Sequence, residues 1–332
     1  MIGVLYESDE WSDYHLAAEL EGFGCEVAMI DMQSDGAESQ ALACDMLVSR
    51  VFASAYSRGH ATALSRTPAL LARAEQAGIR VINPARAHAF ETSKARSTSA
   101  LAQAGVPVPK VYGVFRAAEL AQALPACPEQ GVAARLGKGA GRGAAVDFGR
   151  ESSIALEGTA SAAALPAIAF PLVAKPDCGG RGGDTFVAHD VAELAAQAKN
   201  IAPDLPMLLE EYVAPAHGYL TRIEVIGGKP VLVLKRSVAA NGLSGYHQGS
   251  TYDFYPECPQ VVLDYARKAC AALSFEVGSF DVIEACGRIA FIDCNSVSNV
   301  SEDCTALFKM DLIREHARYI AGEYQRTGKG DK

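Results

Sequence analysis

Residues 281–295 read DVIEACGRIAFIDCN. Asp281 stands twelve positions before Asp293, and Asn295 follows two later, so three oxygen-bearing side chains interrupt two otherwise apolar segments. Those segments have strand character, and ACGR between them (Ala285 to Arg288) reads as a turn. Two adjacent antiparallel strands would bring Asp281 and Asp293 side by side. Isolated buried acids are costly without a cation, whereas Mg favours oxygen ligands in near-octahedral geometry, shared with phosphate and water. Asp281, Asp293 and Asn295 are thus either isolated buried polar groups or candidate metal ligands.

Working outward, the chain of 332 residues has room for two or three domains. Its 49% hydrophobic and 21% charged residues are ordinary for a globular protein with a sizeable core. The net charge of −9 argues against general affinity for nucleic acid or anionic membrane. A local basic pocket for a small polyanion is compatible with it. The opening MIGVLYESDEW lacks a basic segment followed by a long apolar run, and ASAAALPAIAFPLVAK is short and broken by Pro166 and Pro171. A cytoplasmic protein without membrane spans is expected. Nine scattered cysteines form no CxxC pair, which reads as free, mostly buried thiols.

The first 87 residues alternate strand and helix. MIGVLY, CEVAMID, DMLVSRV and IRVIN are short apolar runs, separated by helical stretches such as ATALSRTPALLARAEQAG. That alternation implies a small parallel-sheet α/β domain over 1–87. No GxGxxG follows its first strand, so a dinucleotide role has no support. ETSKARSTSALAQAGVPVPK reads as one helix ended by Gly105 and stopped by Pro107. Residues 116–166 turn rich in Ala and Gly and read as a flexible insertion or surface loop. Their GKGAGRGAA is not a Walker A loop, because no Ser or Thr follows the lysine.

FPLVAKPDCGGRGGDTFVAHD is more informative. A strand ends at Lys175, then Gly179, Gly180, Gly182 and Gly183 surround Arg181, and a second strand starts at Thr185. Such a hairpin can fold over phosphates, since glycine lets backbone N–H groups approach an anion closely. Taken alone it is equally a flexible hairpin. MLLEEYVAP then changes from apolar to acidic at its end. It is either a strand ending in solvated glutamates or an exit whose backbone pairs with an adenine edge while Glu210 accepts from the exocyclic amine.

Together, Lys94 in ETSKARS, VPVPK, Lys175 in LVAKPDCGGRGG, LLEEYV and the closing FDVIEACGRIAFIDCN follow the order and rough spacing of the ATP-grasp superfamily. Within it the chain resembles the RimK-type amino-acid ligases, whose members include ribosomal-protein glutamate ligase and the carrier-protein ligases of lysine biosynthesis. The likeness runs from VSRVFASAYSRG through VINPARA to the metal motif and is weakest across 116–166. The resemblance implies a three-domain fold of α/β class, α+β in its C-terminal half, with ATP held between two α+β subdomains. Its segments would be 1–87, a central subdomain over 88–210 carrying the glycine loop and the insertion, and a C-terminal subdomain over 211–328 carrying the metal site.

The resemblance also assigns roles. Lys94 and Lys175, with the loop residues Gly179 to Gly183, would neutralise the ATP phosphates. Glu210, Glu211, Tyr212 and Val213 would form the adenine hinge. Asp281, Asp293 and Asn295 would hold one or two Mg ions, with Mn an alternative metal. Lys235 and Arg236 in LKRSVAANGLSGYHQGS fall on basic positions that hold phosphate or substrate carboxylate.

Several positions depart from the family. Aspartate replaces the usual glutamate at 293. HGYLTR offers no acid for the ribose, so that Glu224 or His217 substitutes or the contact is lost. His247 and Gly249 echo NxHxGG, with Gly245 and Ser250 in place of asparagine and the second glycine. NSVSNVSEDC lacks the usual proline and glycine, and the expectation is a more polar acceptor pocket lined by Ser296, Ser298 and Asn299.

The implied activity is ATP-dependent ligation of a small-molecule carboxylate to an amine through an acylphosphate. Ring closure, phosphoryl transfer, a carrier-protein acceptor and a nucleotide-binding module without catalysis are the alternatives. Relatives are often homodimers or homotetramers.

Overall fold

The computed structural model describes residues 1–122, 168–180, 182–239, 242–244, 249–285, 287–298 and 300–328. Most of the 116–166 insertion, Arg181, Gly245, His247, Cys127, Cys286 and Asn299 lie outside them. The chain divides into two compact units: Met1–Pro109 with Asp177–Gly183 and Val213–Lys332, and Lys110–Pro176 with Asp184–Tyr212.

In the first unit, β1 (Ile2–Tyr6), β2 (Val27–Asp31), β3 (Met46–Ser49) and β4 (Arg80–Ile82) form a parallel sheet of order β2-β1-β3-β4. Helices α1 (Trp11–Gly22), α2 (Ala37–Leu42) and α3 (Ala61–Gln76) supply the crossovers. Ile2, Val4, Met46 and Val48 pack on one side with Leu16 and Leu20, and Leu5, Leu47 and Val81 pack on the other with Leu70 and Leu71. Continuous apolar strands covered on both faces are what a parallel sheet requires.

The stretch read as a helix ended by Gly105 forms α5 (Lys94–Gln103), and a separate short helix, α4 (Ala85–Glu91), precedes it. Ser93 between them has extended φ/ψ of −150° and 108°, and its hydroxyl accepts the Arg96 N–H, as an N-cap does.

The second unit holds β5 (Val111–Arg116), α6 (Ala117–Gln122), β6 (Leu172–Pro176), β7 (Phe186–Ala188), α7 (Val191–Ala198) and β8 (Pro206–Glu211). Its sheet is antiparallel in the order β5-β8-β6-β7, with Leu172, Ala174, Met207 and Leu209 in the core.

The first unit resumes with a five-stranded antiparallel sheet of β9 (Tyr219–Ile226), β10 (Lys229–Ser237), β11 (Tyr252–Phe254), β12 (Val277–Ala285) and β13 (Arg288–Asn295), ordered β11-β10-β9-β12-β13. One face packs Ile223, Val225, Phe280, Val282 and Phe291 against α5 and α8 (Gln260–Leu273). The opposite face carries Leu232 and Leu234, covered by Cys304 and Phe308 of α9 (Asp303–Phe308). Beyond it, α10 (Leu312–Arg326) packs Ile313, Ala317 and Ile320 into the core of the parallel sheet.

The cysteines among the described residues are free thiols: Cys25, Cys44, Cys270, Cys294 and Cys304 are buried, and Cys178 and Cys258 half-buried. Among the described residues no helix is long and apolar enough to cross a membrane.

Candidate active site

The β12–β13 hairpin forms as the sequence predicts. Asp281 lies opposite Asp293, and Ser279 opposite Asn295, with an irregularity in register just after Asp281. β9 flanks β12 on its other side and sets Arg222 opposite Asp281. Side chains alternate along a strand, so Arg222, Glu224, Asp281 and Arg236 emerge on the face opposite the Phe280 core.

These groups form a continuous buried network. Asp281 accepts from Arg222 Nη1 at 3.2 Å through one oxygen and from Arg236 Nη2 at 2.7 Å through the other. Burial penalises the Asp281 carboxylate, but the two guanidinium groups outweigh it and hold its pKa below the usual range. Arg222 Nε donates to Glu224 at 2.8 Å, and the second Glu224 oxygen accepts from the Ser298 hydroxyl. The Ser298 carbonyl accepts from Arg50 at 3.2 Å, and Arg50 pairs with fully buried Asp13 at 2.7 Å.

The glycine loop meets this face at its other end. Asp177 accepts the backbone N–H of Ala95 and the hydroxyl of Ser93, at 2.7 and 2.9 Å, and so ties the loop to the start of α5. Lys94 donates its ammonium to the Gly179 carbonyl at 2.8 Å and lies 3.8 Å from Asp293. Burial disfavours the charged form of Lys94, yet the carboxylates of Asp293 and Glu91 raise its pKa above the ordinary lysine value. Glu91 is buried too and accepts the backbone N–H groups of Ser296 and Ala53, at 2.6 and 3.2 Å. Asn83 fixes the start of β12 and the residue that follows β13, donating to the carbonyls of Val277 and Ser296.

A cavity of about 340 Å³ lies over this face, wholly within the first unit. Gly179, Gly180 and Gly182 line it together with Asp281, Asp293, Asn295, Arg222 and Arg236. Asp293 Oδ1 is buried and accepts no hydrogen bond, an arrangement that favours a cation beside it. The donor set is all oxygen, and each Asp281 oxygen keeps lone-pair capacity beyond its one arginine. These residues fit a hard divalent ion, with Asp293 and Asn295 the freer ligands.

In the second unit, Lys175 lies on β6 and Glu210 on β8, and the two pair at 2.6 Å. Glu211 is held on the Lys110 backbone through its own N–H and its carboxylate, and Tyr212 N–H donates to Pro171. Val213, in the first unit, packs with Leu220, Ile283 and Ala290.

Two expectations are corrected. Lys235 follows Leu234 on β10 and therefore points away from the cavity; its ammonium bonds Glu257 and sits over the Tyr255 ring at 4.3 Å. Glu224 lines the cavity, with its oxygens accepting from Arg222 and Ser298. The Ser296 and Ser298 hydroxyls turn inward to Glu91 and Glu224, and the cavity is lined by Val297 and Val300 instead.

Sequence reasoning missed Arg222, Glu91, Glu10 and Trp11, which also line the cavity. For Arg222 a signal existed: YLTRIEVI places Arg222 and Glu224 two apart in an otherwise apolar strand, so both share one buried face.

The chain matches no protein-family model. A 134-residue stretch is 27% identical to beta-citrylglutamate synthase B of Danio rerio, covering 40% of this chain and 33% of that protein. The chain thus spans about a third of that curated relative. Among solved structures, D-alanine–D-alanine ligase from Bacillus anthracis aligns with a TM-score of 0.62 at 15% identity over 97% of this chain and 98% of its own. D-cycloserine synthetase DcsG aligns with 0.61 at 16% over 98% and 100%. A RimK-domain ATP-grasp protein from Sphaerobacter thermophilus aligns with 0.60 at 15% over 96% and 98%. The chain has the ATP-grasp ligase fold across nearly its whole length.

Proposed function

We propose that the protein is an ATP-dependent carboxylate–amine ligase acting on small amino-acid-like substrates and releasing ADP and phosphate. The observation that carries this reading is the meeting of the Asp281–Asp293 pair, Lys94 and the glycine loop on one buried face, within a fold shared with ligases. The γ-phosphoryl group passes to a substrate carboxylate, giving an acylphosphate; the amine attacks the acyl carbon, and phosphate leaves as the amide forms. Lys94 and Lys175 neutralise phosphate charge, and Arg236 faces the developing charge on the transferred group. Asp293, Asn295 and Asp281 would hold a divalent ion such as Mg, which would supply further charge neutralisation at the phosphates. Positioning of both reactants accounts for much of the acceleration, about 7 to 11 kcal/mol in well-oriented systems.

Glu210 to Val213 serve the adenine in this reading, and the segments 1–87, 88–210 and 211–328 are its functional divisions. A cytoplasmic site and a homodimer or homotetramer belong to the same proposal. The test is phosphate release from ATP and Mg over a panel of amino acids, singly and in pairs, with mass spectrometry of each positive. A product lighter than the summed substrates by one water supports the ligase. Turnover with one substrate and no condensation product instead assigns ring closure or phosphoryl transfer.

A further inference from the structure

The cavity floor has a direction. Its cation end lies at β13, an edge strand of the sheet, with Asp293, Asn295 and the glycines nearby. Its other end lies at β11, four strand spacings away, or about 19 Å at about 4.8 Å per strand. There the chemistry changes. Tyr252 on β11 stands opposite Arg236 on β10 and meets the Phe308 ring edge-on, with centroids 5.9 Å apart. Val300 packs against the same cluster, and Cys304 of α9 completes that wall. Among the described residues, the polar side-chain groups near Arg236 at this end are the Tyr252 phenol and the hydroxyls of Ser301 and of Ser244, which already accepts from Arg236 Nε at 2.9 Å, whereas Val300, Cys304 and Phe308 offer no charge.

From this we infer that the substrate is amphipathic, its reacting carboxyl toward Arg236 and the acids, and an aliphatic or aromatic side chain against Val300, Cys304 and Phe308. The inference rests on the ligase reading and adds the side-chain class. Burying a charged or amide side chain against Val300, Cys304 and Phe308 would strip its water without a strong hydrogen-bonding partner from those three side chains, a cost of a few kcal/mol. An apolar side chain gains from the same desolvation. The inward turn of Ser296 and Ser298 produces this wall: their hydroxyls serve buried carboxylates, and valines are left facing the cavity.

Trp11 lines the cavity and is the chain's single tryptophan, so its fluorescence reports occupancy independently of turnover. The experiment titrates the protein with ATP and Mg against leucine and its near-isosteres asparagine and aspartate, then phenylalanine against glutamate, following fluorescence and product mass. Leucine and phenylalanine should bind at least about 10-fold more tightly than the polar partners, and Val300→Asp, at a half-buried position, should erase that preference. Equal or tighter binding of the polar partners, silence with all five, or a preference unchanged in Val300→Asp overturns the inference. The two readings separate cleanly. Condensation of polar substrates alone sinks the apolar pocket and leaves the ligase standing, whereas selective apolar binding without ADP formation upholds the pocket and sinks the ligase.

Discussion

Asp293 is the residue on which the metal reading turns. Its Oδ1 is buried and accepts no hydrogen bond, with Lys94 3.8 Å away. Asp293→Asn keeps the shape and removes the charge, so activity should require at least about 10-fold more Mg, the usual scale for a weakened metal shell. A Mg titration of turnover in the two proteins reads this directly, and an unaltered response removes Asp293 from the metal. His316 gives a pH prediction. It is buried on α10, its Nε2 has no hydrogen-bond partner, and burial, with Arg50 nearby, pushes its pKa down to about 3 from 6.5. Between those values the unfolded chain binds a proton that the folded chain refuses. Stability is therefore lost as pH falls from about 6.5 toward 3, by up to about 1.4 kcal/mol per pH unit for this group. Denaturant midpoints measured from pH 7 to pH 5 should fall less steeply in His316→Leu.

The β12–β13 hairpin was legible because two acids, a turn and apolar alternation agreed on one arrangement. The same alternation decides between Arg236 and Lys235, neighbours in sequence on opposite faces of β10. Counting basic residues near a motif could not separate them, whereas the phase of Leu232, Leu234 and Arg236 could. The pocket wall was not legible, because whether a serine hydroxyl faces a cavity or a buried carboxylate depends on Glu91 and Glu224, distant in sequence. Gly278 tests the hairpin as an element. It has φ of +145°, and a Cβ there would stand 2.2 Å from the Asn295 carbonyl oxygen of the paired strand. Gly278→Ala should destabilise by about 2 kcal/mol or more and, where it folds, lower activity by displacing Asn295. A thermal shift within about 2 °C of the parent with full activity would show that β12 and β13 tolerate separation.

At the scale of the molecule, sequence order pointed to one face, since Lys94, the glycine loop, Asp281 and Asp293, distant in the chain, meet on it. Substrate identity was not written there, because it depends on which side chains several elements leave facing one cavity. The central claim is that a carboxylate is activated by phosphorylation before an amine attacks it. The most direct test labels both carboxyl oxygens of a turned-over acid with oxygen-18 and weighs the inorganic phosphate released with ATP, Mg and the amine. An acylphosphate hands one substrate oxygen to phosphate, so the account predicts one heavy oxygen per phosphate, matched by one in the amide product. Unlabelled phosphate, with both heavy oxygens still in the carbon-containing product, would contradict it.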